Sequence, residues 1–235
     1  GNVTLANAGN ALNGTVSASG NNVSVTNPAG LQLGTVTAAN NLTLNTGGGG
    51  LNGGLSQVGA LSVGGSATFT ANTSLLQDAL LTHAANQFNG PVVFNTQSGG
   101  SWNNLSLTHA STQDPLQMVL PATANNVTLD TRHGGLQLVT QLPTVLTGNL
   151  STTSGGSTSL GMVTVGGNLN VSSVGDVTQT GVLHVTGSSE VNASAGQVNL
   201  NNPGNIFVGT SNIDNGSRTP VVLVPAAATN AVMPG

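Results

Sequence analysis

The sequence predicts an all-β protein, a right-handed parallel β-helix (β-solenoid) of about eleven coils of roughly 21 residues. Three observations predict this fold. Short segments that alternate apolar and polar residues recur along the chain, each preceded by Asn, Gly or Ser. One longer motif occurs twice. Charged residues make up only 3% of the chain, which suits a fold in which each strand faces a near copy of itself.

The short segments set the length of a coil. Asn2–Leu5 is followed by Asn22–Val25 and Asn41–Leu44, at intervals of 20 and 19 residues. Period-2 alternation indicates strands with one buried face. Gly and Asn between them suit corners that need positive φ. Two or three short strands per coil predict a triangular solenoid. Similar segments begin at Asn104, Asn126, Asn149, Asn168 and Glu190.

A longer repeat organises the whole chain. Leu55–Ala71 returns as Val177–Ala193, shifted by 122 residues without a gap. Each copy leads into an Asn-x-apolar-x-Gly signature, at Asn86–Gly90 and Asn205–Gly209, and a third signature stands at Asn10–Gly14. The identical pairs include Gln57/Gln179, Gly59/Gly181, Leu61/Leu183, Val63/Val185, Gly65/Gly187, Ser66/Ser188 and Ala71/Ala193.

These repeats predict one solenoid over residues 1–235. The large repeats lie at approximately 9–85 and 86–204, the second being longer by two coils inserted in the region Gly134–Gly167. Residues 205–235 form the start of a further repeat and a C-terminal tail. Ser74–Ala85 is expected to be a strand and a corner rather than a helix. Thr219–Gly235 is expected to be a short apolar strand followed by coil.

The charge composition excludes several classes of function. Lys is absent, Arg132 and Arg218 are the two arginines, and the net charge is −4. Like charges stacked about 4.8 Å apart repel by roughly 0.9 kcal/mol even in water, so columns of Asn, Ser and Thr suit the stack better. Nucleic-acid binding needs a basic surface, and a membrane span needs about 20 apolar residues. We therefore expect no nucleic-acid partner and no membrane span.

Neither catalysis nor cofactor binding is expected. Enzymes built on β-helices need several carboxylates on one face. Mapped with the 21-residue period, the acidic residues fall on different corners and strands, so we expect no catalytic residue. Gly47–Gly50 is expected to be a turn rather than a nucleotide motif, because no helix pattern follows it. The acidic residues are Asp78, Asp114, Asp130, Asp176, Glu190 and Asp214.

No metal site is expected either. The chain has no cysteine, and the histidines are out of register with one another, which indicates surface corner residues. The four histidines are His83, His109, His133 and His184.

Three features leave binding hypotheses open. Trp102, the single tryptophan, could offer a carbohydrate platform or could pack over an irregular coil junction. Thr35/Thr37 and Thr68/Thr70 resemble fragments of an ice-binding array, but such pairs do not recur on every coil. Eleven Asn-x-Ser/Thr sequons occur, most at strand entries. We interpret them as structural first and as glycan acceptors second.

The repeat pattern resembles that of filamentous haemagglutinin-like proteins. The resemblance runs over Asn10–Phe69 and again over Asn86–Val191, through Asn-x-Phe-x-Gly, Asn-Val-x-Val, Leu-x-Leu-Gly-x-Val-Thr-Ala and Gln-x-Gly-x-Leu-x-Val-x-Gly. Asn27–Gly30 only approaches the Asn-Pro-Asn-Gly motif of that family's secretion domain, so we expect that domain to be absent. The resemblance implies a right-handed parallel β-helix in a large bacterial exoprotein exported through an outer-membrane pore.

The sequence thus predicts a non-enzymatic rod segment of a secreted or cell-surface bacterial adhesin. The chain starts with Gly1 and no signal peptide heads it, so we expect a mature or internal piece of a longer protein. A self-associating extracellular fibre subunit is the main alternative, since a β-helix exposes unpaired strand edges that can pair end to end. An ice- or carbohydrate-binding solenoid is a further alternative. The residues identify no ligand on a host or neighbouring cell.

Overall fold

The computed structural model describes residues 1–47, 53–72, 74–110, 115–139 and 143–215, and the backbone of 222–223. Within these ranges the chain forms strands, turns and bends, and no helix. The strands are β1 Val3–Leu5, β2 Thr15–Gly20, β3 Val23–Asn27, β4 Leu31–Ala38, β5 Leu42–Thr46, β6 Gly54–Gln57, β7 Leu61–Val63, β8 Ala67–Ala71, β9 Leu76–Leu81, β10 Gln87–Phe88, β11 Val92–Thr96, β12 Ser101–Thr108, β13 Leu116–Val119, β14 Thr123–Thr131, β15 Leu136–Val139, β16 Thr144–Leu146, β17 Leu150–Ser154, β18 Thr158–Leu160, β19 Val163–Val165, β20 Leu169–Ser173, β21 Val177–Gln179, β22 Leu183–Val185, β23 Ser189–Ala193, β24 Val198–Leu200, β25 Ile206–Phe207, β26 Ser211–Asp214 and β27 Val222–Leu223.

The strands wind into a parallel β-solenoid, which confirms the predicted fold class. Its right-handed sense stays a prediction. The coils number about nine of roughly 22 residues, rather than eleven of 21, because the middle circuits are long. Register partners Leu42, Ala67, Val92 and Met118 on successive coils are 25, 25 and 26 residues apart. Near the start, Val3, Val23 and Leu42 are 20 and 19 residues apart.

Two parallel sheets form the wall of the solenoid. The first sheet stacks eleven strands in the order β1-β3-β5-β8-β11-β13-β15-β18-β21-β24-β27. The second sheet has sixteen strands and branches, because β4 and β14 are each long enough to pair with two separate strands of the next coil. At the roughly 4.8 Å spacing of paired strands, the first sheet is about 50 Å long.

The second sheet contains three sides. We call the side through β6, β9, β17, β20, β23 and β26 the shared side, because it continues through both halves of the chain. The early side runs from Val36–Ala38 through β7 and ends at β10. The late side begins at Leu76–Gln77 and continues through β16, β19, β22 and β25.

The triangular outline therefore changes its third side midway. In the first half the chain visits the first sheet, the shared side and the early side. In the second half it visits the first sheet, the late side and the shared side. Only the circuit that contains β9 and β10 touches all four sides among the described residues. This long circuit joins two triangular stacks that share two walls.

The change of side moves the long repeat to new walls. β5 belongs to the first sheet, but its sequence equivalent β20 lies on the shared side. β6 and β21 exchange in the opposite direction, and β8 and β23 follow β5 and β20. Equivalent residues of the two repeats consequently point out of different faces of the rod.

The interior is a single column of apolar side chains. Inward residues alternate along every strand, as in β5 and β20, so the predicted period-2 pattern is confirmed. Phe69 stacks on Phe94 with ring centroids 5.1 Å apart, and Phe94 meets the edge of Trp102 at 5.7 Å. β9 confirms the expected strand within Ser74–Ala85. Gly48–Gly50, Asp114, Arg218 and all of the tail except the backbone of β27 lie outside the described residues.

Glycine serves close packing more than unusual backbone geometry. Positive φ occurs in the described residues at Gly54, Gly99 and Ser98, and at no Asn, so the expectation of left-handed Asn corners was wrong. The repeated glycines Gly59 and Gly181 are needed for a different reason. A Cβ on either would lie 2.5 Å or 2.6 Å from backbone atoms of the preceding coil. Stacked corners come too close for any larger residue.

Candidate functional surface

Asparagines at the strand entries form two hydrogen-bonded ladders. In the first, the Asn22 and Asn41 amides donate to the side-chain Oδ1 of the asparagine one coil earlier, at 3.2 Å each. The second runs for six rungs, from Asp78 to Ser188, with distances of 2.8–3.0 Å. Six of the sequon asparagines belong to these ladders, in line with the structural interpretation. They are Asn2, Asn22, Asn41, Asn104, Asn126 and Asn149.

A buried amide pair explains the repeated Gln and the Asn signature. Asn86 Nδ2 donates to Gln57 Oε1 and Gln57 Nε2 donates to Asn86 Oδ1, both at 2.9 Å. Asn205 and Gln179 repeat this pair at 2.8 and 2.9 Å. Each Asn also donates to a backbone carbonyl five residues earlier and accepts from the amide of the next strand. The sequence motif is therefore a lock between coils.

The acidic residues are spread along the rod, with one exception. Asp78 heads the second ladder, and Asp176 Oδ1 accepts from the Gln197 amide at 2.8 Å. Glu190 and Asp214 both point outward from the shared side. Glu190 is paired in register with Asn212, so Asp214 is its diagonal neighbour, at about 7–8 Å. The sequence period had placed these two on different columns.

This carboxylate pair does not resemble an acid–base site. Both residues are exposed on a flat strand face, whereas a general acid needs a raised pKa that burial or a like charge supplies. Neither lines the two grooves described below. Among the described residues no three His, Cys, Asp or Glu side chains come together to hold a metal ion.

One histidine departs from its predicted surface position. His133 is exposed, and His83 and His184 are half-buried, but His109 is only 1% exposed. Its Nδ1 accepts a hydrogen bond from the Phe88 amide at 3.2 Å. Burial lowers the pKa of His109 below its ordinary value of 6.5. The expectation of a surface corner residue was therefore wrong here, because the interrupted early side needs an acceptor at that point.

Trp102 offers no platform for a sugar. It lies within β12, is fully buried, and its Nε1 donates to the Asn95 carbonyl at 2.9 Å. The junction-packing alternative is therefore confirmed, at the place where β12 and β9 shift register. The threonine pairs form no flat array. Thr70 is buried, and the neighbours of Thr37 in register are Ser19 and Ser62.

The late side has a different surface from its neighbours. Of the ten large apolar side chains exposed among the described residues, six lie on or directly beside it, whereas the outward residues of the shared side are mostly polar or acidic. The six are Leu75, Leu76, Val145, Met162, Ile206 and Val208. The late side is thus the most adhesive-looking wall of the described rod.

Two grooves lie at the ends of the region where the third side changes. The larger has a volume of about 490 Å³ and the smaller about 310 Å³. The larger is rich in glycine, with Gly14, Gly30, Gly53 and Gly54 in its wall and Asp78 at one end. The smaller opens beside Leu76 and Trp102. Neither contains a cluster of titratable groups.

The winding, the ladders and the amide locks define a repeat protein of the parallel β-solenoid class, with no helix among the described residues long and apolar enough to cross a membrane. Residues 20–95 and 147–214, more than half of the chain, match a family model described as repeats of unknown function, DUF5649. The chain belongs to this family. Searches of curated proteins and of solved structures gave no match.

Proposed function

We propose that the chain is a non-catalytic structural rod, a segment of a large secreted or cell-surface bacterial protein that holds an adhesive tip away from the cell. One observation carries the proposal: the first sheet continues through eleven parallel strands across the change of third side. Stability in such a stack comes from contacts between neighbouring coils, so the length can grow without redesign of the core.

Spin labels can test the rod directly, because the chain has no cysteine of its own. Thr4 and Asn199 are exposed on the first and tenth strands of the first sheet. Thr4→Cys and Asn199→Cys in one chain should give a narrow distance distribution near 43 Å, nine strand spacings of about 4.8 Å. Ser24→Cys with Thr43→Cys, on adjacent strands, is the short control. A broad distribution for the long pair would contradict a stiff rod.

The adhesive role and export to the cell surface rest on the resemblance to filamentous haemagglutinin-like repeats and on the low-charge surface. They are tested in the parent protein on living cells. Deletion of residues 20–214, as compared with replacement by an unrelated solenoid of equal length, should weaken attachment only when length is lost. If the unrelated solenoid fails to restore attachment, this segment binds the target itself and is no mere spacer.

A fibre subunit is the second candidate, and the late side favours it. Apolar side chains exposed on consecutive coils, at Val145, Met162 and Ile206, form a stripe that two rods can bury against each other. Ile206→Thr together with Val145→Thr should then reduce association measured by analytical ultracentrifugation. Leu5→Thr, an equally exposed residue on the first sheet, is the matched control. A chain that stays monomeric at high concentration would exclude lateral fibres.

A further inference from the structure

The end of the early side is closed by a side chain instead of a strand. β10 is the last strand of that side and pairs with β7 behind it. On its other edge, the Phe88 amide donates to His109 Nδ1 at 3.2 Å, while the Ala110 amide donates to the Asn86 carbonyl at 2.9 Å. An imidazole thus occupies a position that a backbone carbonyl holds on the other walls.

The surroundings hold His109 in its neutral form. Its ring lies 6.1 Å from the Phe88 ring, and it is 1% exposed. The charged groups on the neighbouring elements have partners of their own: Asp130 binds Arg132 at 3.1 Å, and His83 Nδ1 accepts from the Ala85 amide at 3.2 Å. Asp114 lies outside the described residues. Because Nδ1 accepts, the neutral ring carries its proton on Nε2.

We propose that His109 is an acid-sensitive latch, and that protonation of its Nδ1 releases the Phe88 amide and opens the end of the early side. An imidazolium has two N–H donors and no acceptor. Its formation leaves the Phe88 N–H unpaired and places a charge in an apolar site, both of which are costly. The first sheet and the shared side pass this point through β11–β13 and β12–β14, so the rod stays joined while the third side opens.

The direction of the pH dependence follows from burial. The pKa of His109 is lower in the folded chain than the ordinary 6.5, so the unfolded or opened form binds the proton more tightly. The closed latch is therefore fully stable above about pH 6.5 and loses stability as the pH falls from there through the folded pKa. Acidification weakens this one joint before any carboxylate titrates.

Hydrogen exchange on the whole chain tests the proposal. Exchange of the segment 84–92, corrected for the intrinsic effect of pH, should rise at least tenfold between pH 7.5 and pH 5.0, whereas segment 160–179 should stay protected. His109→Gln keeps an acceptor that does not titrate and should remove the rise. His184→Gln, a half-buried histidine on the late side, should leave it. An unchanged wild type, the same rise in His109→Gln, or equal loss in both segments would overturn the latch.

A second measurement needs no variant. In nitrogen-15 spectra of the wild-type chain, the His109 ring should show the Nε2–H tautomer at pH 7.5 and should protonate in step with loss of protection at the Phe88 amide. Protonation of His109 while Phe88 stays protected would refute the proposal even if His109→Gln fails to fold.

Discussion

Thr158 carries a hydroxyl group that the core leaves without a partner, which makes its replacement by valine a sharp test of the packing. The side chain is fully buried, and its Oγ1 has no hydrogen bond among the described residues. Its neighbours in register are Leu136 and Val177. An unpaired buried hydroxyl costs about 1–3 kcal/mol in proteins. Thr158→Val should therefore stabilise the chain by about 1–2 kcal/mol, since valine has nearly the same shape.

Thr131 supplies the matched control. It is equally buried, but its hydroxyl donates to the Gly134 carbonyl at 3.0 Å. Thr131→Val loses that bond and should destabilise the chain by about 1 kcal/mol. The same substitution thus has opposite signs at two positions, and only the hydrogen bond distinguishes them.

Urea denaturation followed by Trp102 fluorescence and by circular dichroism measures both variants. Coincidence of the two probes is required, because stacked repeats can unfold in steps. A gain of 1 kcal/mol corresponds to about 2–4 °C in Tm for a chain of this size. If Thr158→Val destabilises the chain, or if both variants shift in the same direction, the hydroxyl at Thr158 has a partner and the account of this coil is wrong.

Three further substitutions test the core, the corner packing and the amide lock. Val127 is 1% exposed, so Val127→Asp should cost several kcal/mol by burying an unpaired charge; a wild-type denaturation midpoint would show that it faces outward. Gly187→Ala places a Cβ against Asn168 Oδ1 and the Gly167 backbone and should cost about 1–3 kcal/mol, whereas Gly14→Ala, with open space around it, should be nearly neutral in the same denaturation assay. Asn205→Ala leaves Gln179 and the Leu183 amide without their partner and should cost about 3 kcal/mol; in a double-mutant cycle with Gln179→Leu the two losses should not add.

The sequence was sufficient for the fold class because the signal repeats. Period-2 alternation marks every wall, and the spacing of Asn22, Asn41, Asn126 and Asn149 reports the coil length. Their ladder hydrogen bonds show why Asn stands there: its side chain reaches the backbone of the next coil. The repeated Gln57 and Asn86 were recognisable as equivalent positions, although their mutual bond was not.

What escaped prediction depends on which wall a strand joins. A strand pattern specifies an inward and an outward face but not the neighbour across the coil, so the exchange of β5 and β20 between walls was invisible. Coil counting failed for the same reason, since the long middle circuits visit a wall that the short ones omit. The burial of His109 follows from that change of wall, and so does the approach of Glu190 to Asp214.

The exchange of walls between the two long repeats has a consequence for longer arrays. A marking carried at the same position in each repeat, whether a binding side chain or a sugar, faces one flank in the first repeat and another flank in the second. A third repeat attached through a similar connector would return to the original flank. A tandem chain of this kind displays its decorations alternately, like leaves on a stem, and can engage surfaces on two sides at once.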